Sequence, residues 1–189
     1  GYDWLYPAWT AAERTTLTNY LVTKGLNSQS NNYGNNIGMI NDGGYIMASL
    51  AVGMVNEGAA EPDLSQGVSQ LAGKVIQYNA NAGAWLEGTD YGIFAKWGFT
   101  PAMESLETAL GSSFALGRTA GLFMARREPL HIASNTRQRF TFSDIGTGSH
   151  NAVGWANWWA RRFNALEVYD FSRQVGTSPR SALVLPETT

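Results

Sequence analysis

The chain has 189 residues, 44% of them hydrophobic and 12% aromatic, with a formal net charge of −2 and no cysteine. These values suit one globular domain, exclude a disordered or fibrous chain, and argue against nucleic-acid binding. Without cysteine there is no disulfide, thiolate metal site or cysteine nucleophile. Two histidines are too few to build a metal centre alone, so neither a metal nor a cofactor is expected. No apolar run reaches the roughly 18 residues that suggest a membrane span.

The first predicted elements are helices. The segment TAAERTTLTNYLVTKGL opens with a capping box between Thr10 and Glu13 and closes near Gly25. A helix rich in small residues is predicted over 40–56. Four of its residues would let a neighbouring helix approach closely: Gly44, Ala48, Ala51 and Gly53.

The middle of the chain continues with helical patterns. One helix is predicted to start near Pro62, and its apolar stripe consists of Leu64, Val68, Leu71 and Val75. Gly88 and Pro101 divide the next stretch into a loop and a helix near 100–110. The segment TAGLFMARREPLHIAS predicts another helix, interrupted around Pro129.

A single stretch, RQRFTFSDIGTGSHN, looks extended, and it ends in a glycine-rich loop. Three later segments predict helices: AVGWANWWARRFN, LEVYDFSRQVG and the short SPRSALVL. With one short extended segment at most, the sequence predicts an all-α fold of helical hairpins.

The loop NNYGNNIGMINDGG, from Asn31 to Gly44, carries more amide side chains than a turn requires. Amides at a helix entrance can cap the free backbone N–H groups, and here Asn41 and Asp42 are the capping candidates. Amides at the same place can also hold a carboxylate or a sugar. Both interpretations are open from the residues alone.

Three stretches follow one another along the chain: NNIGMINDGG (35–44), WLEGTDYGIF (85–94) and FTFSDIGTG (140–148). Together they resemble the α/α-toroid domain of the heparinase II/III-like polysaccharide lyases, which share the chondroitin AC/alginate lyase fold. The resemblance implies an incomplete (α/α) toroid over 1–189, without the β-sandwich region that usually follows it. A fragment of a longer chain, or a homo-oligomer that covers the open edges, is the expectation that follows.

Lyases of this family cleave uronic-acid polysaccharides by β-elimination. The resemblance therefore implies an acidic polysaccharide as partner, such as a glycosaminoglycan or alginate, and a periplasmic or extracellular location, with no nucleic acid and no membrane. It assigns Tyr91 to proton transfer as base, acid or both in turn. Asn36, and after it Asn35, match the amide donors that stabilise the charge developing on the substrate carboxylate. His150 is a further catalytic candidate, as a cation or proton shuttle.

Five residues are candidates for substrate binding. Trp85 and Glu87 belong to the second motif, and Glu87 could orient the tyrosine, bind a sugar hydroxyl or cap the following turn. Asp144 either ties down its glycine-rich turn or faces the substrate. Arg126 and Arg137 come from a local arginine cluster that would suit an anionic ligand, or that forms a solvated helix face.

The chain departs from the family pattern at two positions. Phe94 stands where a second tyrosine is frequent, and Ile37 replaces the histidine that often accompanies the first-motif asparagine. Two alternatives therefore remain beside the lyase: a non-catalytic glycan-binding or structural module, and a glycoside hydrolase. The hydrolase would need paired carboxylates, for which Glu87 with Asp90 or Asp144 is available.

Overall fold

The computed structural model describes residues 2–27, 34–53, 57–132 and 154–175. Within these residues the chain forms helices and no strand, which confirms the all-α class. The α-helices are α1 (Tyr2–Leu5), α2 (Ala11–Tyr20), α3 (Asn36–Gly53), α4 (Glu57–Ala80), α5 (Thr89–Leu110), α6 (Ala120–Ala125), α7 (Glu128–Ile132), α8 (Gly154–Phe163) and α9 (Leu166–Val175). The extended segment and the last helix predicted from sequence lie outside the described residues.

Helix α2 begins as its sequence predicts. The Thr10 hydroxyl accepts the Glu13 backbone N–H at 3.3 Å, and the Glu13 carboxylate accepts the Thr10 backbone N–H at 2.8 Å. The capping box is therefore confirmed. The helix continues into one wider, π-helical turn, Leu21–Leu26, so its end near Gly25 is confirmed as well.

Helix α3 begins earlier than predicted, at Asn36 rather than near residue 40. The side-chain oxygen of Asn35 accepts the backbone N–H of Gly38 at 3.2 Å, which is the bond of an N-cap. The assignment of the cap to Asn41 and Asp42 is wrong, because both lie inside the helix that Asn35 already caps.

Helix α5 contradicts the division predicted at Pro101, since it runs from Thr89 to Leu110 with the proline inside. Proline removes one backbone N–H, which leaves the carbonyl four residues earlier, at Trp97, without its helical donor. Both residues lie on an exposed part of the helix, where water can solvate that carbonyl. The break predicted around Pro129 is confirmed, because α6 and α7 are separate helices.

The described helices belong to two compact units, and the chain passes from one unit to the other within α4, within α5 and between Gly117 and Arg118. Unit 1 comprises Gly1–Lys74 and Gly98–Gly117, and unit 2 comprises Val75–Trp97 and Arg118–Thr189. The arrangement of helices as an incomplete toroid stays a prediction. Among the described residues, no helix combines the length and apolarity that crossing a bilayer requires.

The core of unit 1 contains side chains from α3, α4 and α5. Its buried apolar residues include Met39, Tyr45, Ile46, Val52, Leu71, Phe99, Met103 and Leu106. The backbones of α3 and α5 meet at two glycines, because a Cβ on Gly43 would overlap the carbonyl of Gly98, and one on Gly98 would overlap the backbone of Ile40. The predicted close approach at Gly44 is wrong, since a Cβ there would meet nothing within 4 Å.

The core of unit 2 is aromatic. Its buried apolar residues include Val75, Tyr78, Trp85, Ala95, Leu122, Ala125, Trp158, Trp159 and Val168. Helix α6 approaches the end of α4 closely, because a Cβ on Gly121 would overlap the backbone of Tyr78. The Gly121 backbone N–H donates to the Asn79 side-chain oxygen, which fixes this contact.

Candidate functional site

The candidate residues predicted from sequence fall into three groups. His150, Asp144 and Arg137 lie outside the described residues, so their roles stay predictions. Asn35 and Asn36 belong to unit 1. The remaining four, Trp85, Glu87, Tyr91 and Arg126, belong to unit 2.

The two asparagines of unit 1 occupy different environments at the start of α3. Asn36 is the first residue of the helix and is only 3% exposed. Asn35 is partly buried, and its side-chain oxygen is engaged in capping Gly38. A capping asparagine keeps its amide N–H₂ donors available for a second partner, because the cap uses only the oxygen.

In unit 2, Trp85, Glu87 and Tyr91 lie within two turns of backbone. The Gly88 N–H donates to the Trp85 carbonyl at 3.1 Å, and the Gly92 N–H donates to the Gly88 carbonyl at 2.9 Å. The Trp85 indole N–H donates to Glu87 Oε2 at 2.9 Å. Tyr91, in the first turn of α5, and Glu87 are both partly buried, so water reaches each of them.

A buried ion pair contacts the segment that contains Trp85, Glu87 and Tyr91. Lys96 Nζ lies 2.5 Å from Glu128 Oε2, and the two side chains are 0% and 6% exposed. The other carboxylate oxygen, Glu128 Oε1, accepts the backbone N–H of Trp85 at 3.2 Å. Neither charged residue was predicted from the sequence as part of a site. The available signal was a lysine within the apolar run YGIFAKWGF, where a charge needs a buried partner.

Aromatic rings surround the Lys96 ammonium group. Its nitrogen lies 5.5 Å from the centroid of the Trp159 ring and 5.8 Å from that of Tyr78, within the range of cation–π attraction. The Tyr78 and Trp85 rings are in contact, with centroids 5.1 Å apart. Burial, and secondly the Glu128 carboxylate, raise the pKa of Tyr78 well above its ordinary value, so this phenol stays protonated.

Arg126 is an internal residue of unit 2. It is 5% exposed, its guanidinium carbon lies 3.5 Å from the centroid of the Phe123 ring, and it donates to the Phe123 carbonyl. Its Nε lies 3.8 Å from Glu167 Oε1, while the more exposed Arg127 binds that oxygen at 3.1 Å. Burial, and secondly Arg127, lower the pKa of Arg126, and Glu167 opposes them. A polysaccharide could reach this cation only by displacing these contacts.

Unit 1 contains a second buried ion pair. Lys74 Nζ on α4 lies 2.5 Å from Asp42 Oδ2 on α3, and each side chain is 4% exposed. Burial raises the pKa of Asp42, although Lys74 acts in the opposite direction. Nearby in sequence, the Tyr45 hydroxyl donates to Asp63 Oδ1 at 2.6 Å, and burial followed by this carboxylate raises the pKa of Tyr45 to about 12.

The described residues contain no group of three or more histidine, aspartate or glutamate side chains placed to hold a metal ion. In unit 2, Tyr91 and Glu87 supply a partly exposed phenol and a partly exposed carboxylate. A phenol can transfer a proton and a carboxylate can accept hydrogen bonds from sugar hydroxyls.

No protein-family model matches the chain, and no curated protein is significantly similar to it. The resemblance to the heparinase II/III-like lyases stays a prediction.

Proposed function

We propose that the chain is a polysaccharide lyase domain that cleaves a uronic-acid glycan by β-elimination, with Tyr91 moving the proton. The observation that supports this proposal is the local structure of the second motif. The Trp85 indole N–H fixes the Glu87 carboxylate, and Tyr91 follows in the first turn of α5 with part of its side chain in contact with water.

The chemistry asks for two proton movements at neighbouring carbons of the uronate. The C5–H bond breaks as a base takes the proton, the C4–O bond breaks as the glycosidic oxygen leaves, and a C4–C5 double bond forms. In the proposal the Tyr91 oxygen acts as the base that takes the proton from C5, and it then gives that proton to the leaving oxygen as the acid. Glu87 accepts hydrogen bonds from sugar hydroxyls. The role of Asn36 and Asn35 as amide donors to the substrate carboxylate stays a prediction from the sequence, since both residues belong to unit 1 and Tyr91 belongs to unit 2.

The proposed reaction also implies which partner the chain binds and where in the cell it acts. The substrate is an acidic polysaccharide of the glycosaminoglycan, alginate or pectate class, because the elimination requires a carboxylate beside the carbon that loses its proton. Polymers of this kind lie outside the cytoplasm, so the proposed location is periplasmic or extracellular. A partial toroid, completed by a β-sandwich region or by a second copy of the chain, is the architecture proposed with it.

One observation favours a second function, a non-catalytic glycan-binding or structural module. Asn36 is 3% exposed and Asn35 caps α3 through its side-chain oxygen. A cap formed by Asn35 and a buried position of Asn36 need no substrate. A module of this kind would bind a glycan through Glu87 and leave it intact.

The experiment that separates the two functions is ultraviolet absorbance during incubation with heparan sulfate, chondroitin, hyaluronan, alginate or pectate. A lyase gives a rising signal from the C4–C5 double bond, and Tyr91→Phe lowers the rate by about a hundredfold or more, because the proton-transfer group is removed. The matched control is Tyr20→Phe, which removes the same hydroxyl from an exposed tyrosine of α2 and leaves the rate unchanged.

Two results would contradict the lyase. A flat trace across the panel from folded protein, with a glycan retained in a binding assay, would support the module. New reducing ends without a double bond, lost in Glu87→Gln, would indicate hydrolysis by carboxylates instead.

A further inference from the structure

Three contacts in unit 2 form a continuous connection from a buried lysine to a candidate substrate-binding carboxylate. Lys96 Nζ pairs with Glu128 Oε2 at 2.5 Å, and Glu128 Oε1 accepts the Trp85 backbone N–H at 3.2 Å. The Trp85 indole N–H then donates to Glu87 Oε2 at 2.9 Å. Of the four residues, Lys96 is fully buried, Glu128 and Trp85 are nearly so, and only Glu87 is partly exposed.

We propose that Glu128 is a positioning residue, which places the Trp85 indole and, through it, the Glu87 carboxylate for the binding of sugar hydroxyls. The binding role of Glu87 rests on the proposed function. The placement of Trp85 and Glu87 by Glu128 rests only on the geometry of unit 2. Glu128 itself is too deeply buried to contact a polysaccharide, so any effect it has on a glycan must pass through Trp85.

The orientation of the Glu128 carboxylate is fixed because its two oxygens have different partners. One oxygen binds an ammonium group and the other binds a backbone amide, so rotation of the carboxylate would break both bonds. Both bonds are buried, where losing a hydrogen bond costs more than it does in water. The bond to Lys96 therefore keeps the Glu128 carboxylate in the orientation that accepts the backbone N–H of Trp85.

Packing fixes the Trp85 side chain at the other end of the connection. Its ring lies 5.1 Å from that of Tyr78, centroid to centroid. The first turns of α5 pass directly over it at Gly92, where a Cβ would lie 2.9 Å from Trp85 Cβ and 3.5 Å from Glu128 Oε2. The absence of a side chain at Gly92 lets α5 approach both residues, and it leaves the indole little room to rotate.

A buried ion pair that serves only the core would stabilise unit 2 without any influence on the indole of Trp85. Two double variants separate these roles. Lys96→Met/Glu128→Gln removes both charges but keeps a side-chain oxygen that can accept a hydrogen bond from the backbone N–H of Trp85. Lys96→Met/Glu128→Leu also removes both charges and keeps the apolar volume, but it has no acceptor. Neither variant leaves an unpaired charge in the core, which is the usual cause of failure to fold.

The readout is the indole N–H resonance of Trp85 in a ¹⁵N-labelled protein, assigned by its loss in Trp85→Phe. Glu87→Gln provides the reference for an indole whose carboxylate partner has been replaced by an amide. We expect Lys96→Met/Glu128→Gln to keep the wild-type resonance, and Lys96→Met/Glu128→Leu to shift it and to speed its exchange with solvent. In the wild type, the Trp85 backbone amide should exchange slowly, as a buried and bonded N–H does.

Kinetics with the polysaccharide that gives the double bond provide the functional readout. Because Glu87 is assigned to sugar binding, Lys96→Met/Glu128→Leu should raise KM by about tenfold with a much smaller change in kcat, and the glutamine variant should stay near the wild type. If the wild-type protein gives no elimination product, the proposed function fails. The resonance and exchange measurements then decide the positioning role by themselves, because they need no substrate.

Three results would overturn the inference. The first is a Trp85 indole resonance that stays at its wild-type position in both double variants. The second is an equal shift in both, which would show that the acceptor oxygen does not matter. The third needs no variant: a Trp85 backbone amide that exchanges in the wild type as fast as an exposed one.

Discussion

Unit 1 and unit 2 each bury a lysine against a carboxylate, but they use the pair differently. In unit 1, Lys74 and Asp42 come from the interiors of two long helices, α4 and α3, so their bond joins helix to helix. In unit 2, Lys96 comes from α5, and Glu128 begins the short helix α7 and also binds the backbone of Trp85. The second pair therefore joins a helix to a turn that carries candidate functional residues.

A buried charge pair can position a segment of the chain even where it adds little stability. Such a pair often contributes little net stability, because the cost of removing two charges from water offsets their attraction. A pair between helix interiors can still fix how one helix lies against the other. A pair with a third bond to a loop backbone fixes a loop, which otherwise has fewer constraints than the helices it connects. In unit 2, Glu128 makes this third bond, to the backbone of Trp85, just before the turn that leads to Tyr91.

Replacing only one residue of a buried ion pair should destabilise the protein most. Glu128→Leu leaves the Lys96 ammonium buried without its carboxylate, so we expect the free energy of unfolding to fall by about 3–5 kcal/mol in a urea titration. Asp42→Leu should lower the free energy of unfolding by a similar amount, since the Lys74 side chain is also buried.

The compensated variants then test the difference between the units. Lys74→Met/Asp42→Leu should recover most of the loss, because no charge remains in the core. Lys96→Met/Glu128→Leu should recover about 1–3 kcal/mol less than the double variant of unit 1, because the buried backbone N–H of Trp85 has lost its acceptor. Equal recovery of the free energy of unfolding in the two units would show that the bond between Glu128 and Trp85 does not contribute to stability.

A smaller effect is expected where helices cross at a glycine. Gly98→Ala in unit 1 and Gly121→Ala in unit 2 would each drive a Cβ into backbone atoms, which cannot move aside as a side-chain tip can. We expect each to lower the free energy of unfolding by about 1–3 kcal/mol, as overpacking does. The measurement is thermal or urea unfolding of each variant against the wild type.

Gly44→Ala is the matched control for Gly98→Ala. Its Cβ would meet nothing within 4 Å, and the residue lies inside α3. Alanine there should raise stability by about 0.5–1 kcal/mol, because it loses less backbone entropy than glycine when the helix forms. A loss of stability in Gly44→Ala would mean that the helix faces are assigned to the wrong glycines.

Features set by neighbouring residues could be predicted from the sequence. The capping box at Thr10 and Glu13 needs only residues three apart, and it forms as predicted. The stripe on α4 follows helical spacing, with Leu71 and Val75 fully buried. Pro101 shows a limit of such rules, because a proline on an exposed part of a helix costs one hydrogen bond and the helix continues past it.

Features set by distant residues could not be predicted in the same way. Both ion pairs join residues 32 positions apart, and the sequence indicates that a buried lysine needs a partner without indicating which one. The same limit applies to Asn36. The sequence predicted Asn36 near a helix entrance, but its 3% exposure depends on the helices packed around it. Asn35, Tyr91 and Glu87 are more accessible, and their roles depend on chemistry that sequence patterns can only suggest.

A weaker effect than any of these is the pH dependence that Asp42 gives to the stability of unit 1. Burial raises the pKa of Asp42 above its ordinary value of 3.8, and Lys74 only partly offsets this. Between 3.8 and the raised value, the folded protein therefore binds more protons at Asp42 than the unfolded chain does. The contribution of Asp42 to the free energy of unfolding must then fall as the pH rises through this window, and it must rise as the pH falls.

The measurement is a titration of the Asp42 carboxyl carbon by NMR. Its midpoint should lie above 3.8, and Lys74→Met should move it higher still, because the ammonium group that favours the carboxylate has been removed. Leu71→Ile, a change in the same core that carries no charge, is the control and should leave the midpoint near its wild-type value. A midpoint below 3.8 in the wild type would reverse the argument, since attraction to Lys74 would then outweigh burial and unit 1 would gain stability from its pair as the pH rises.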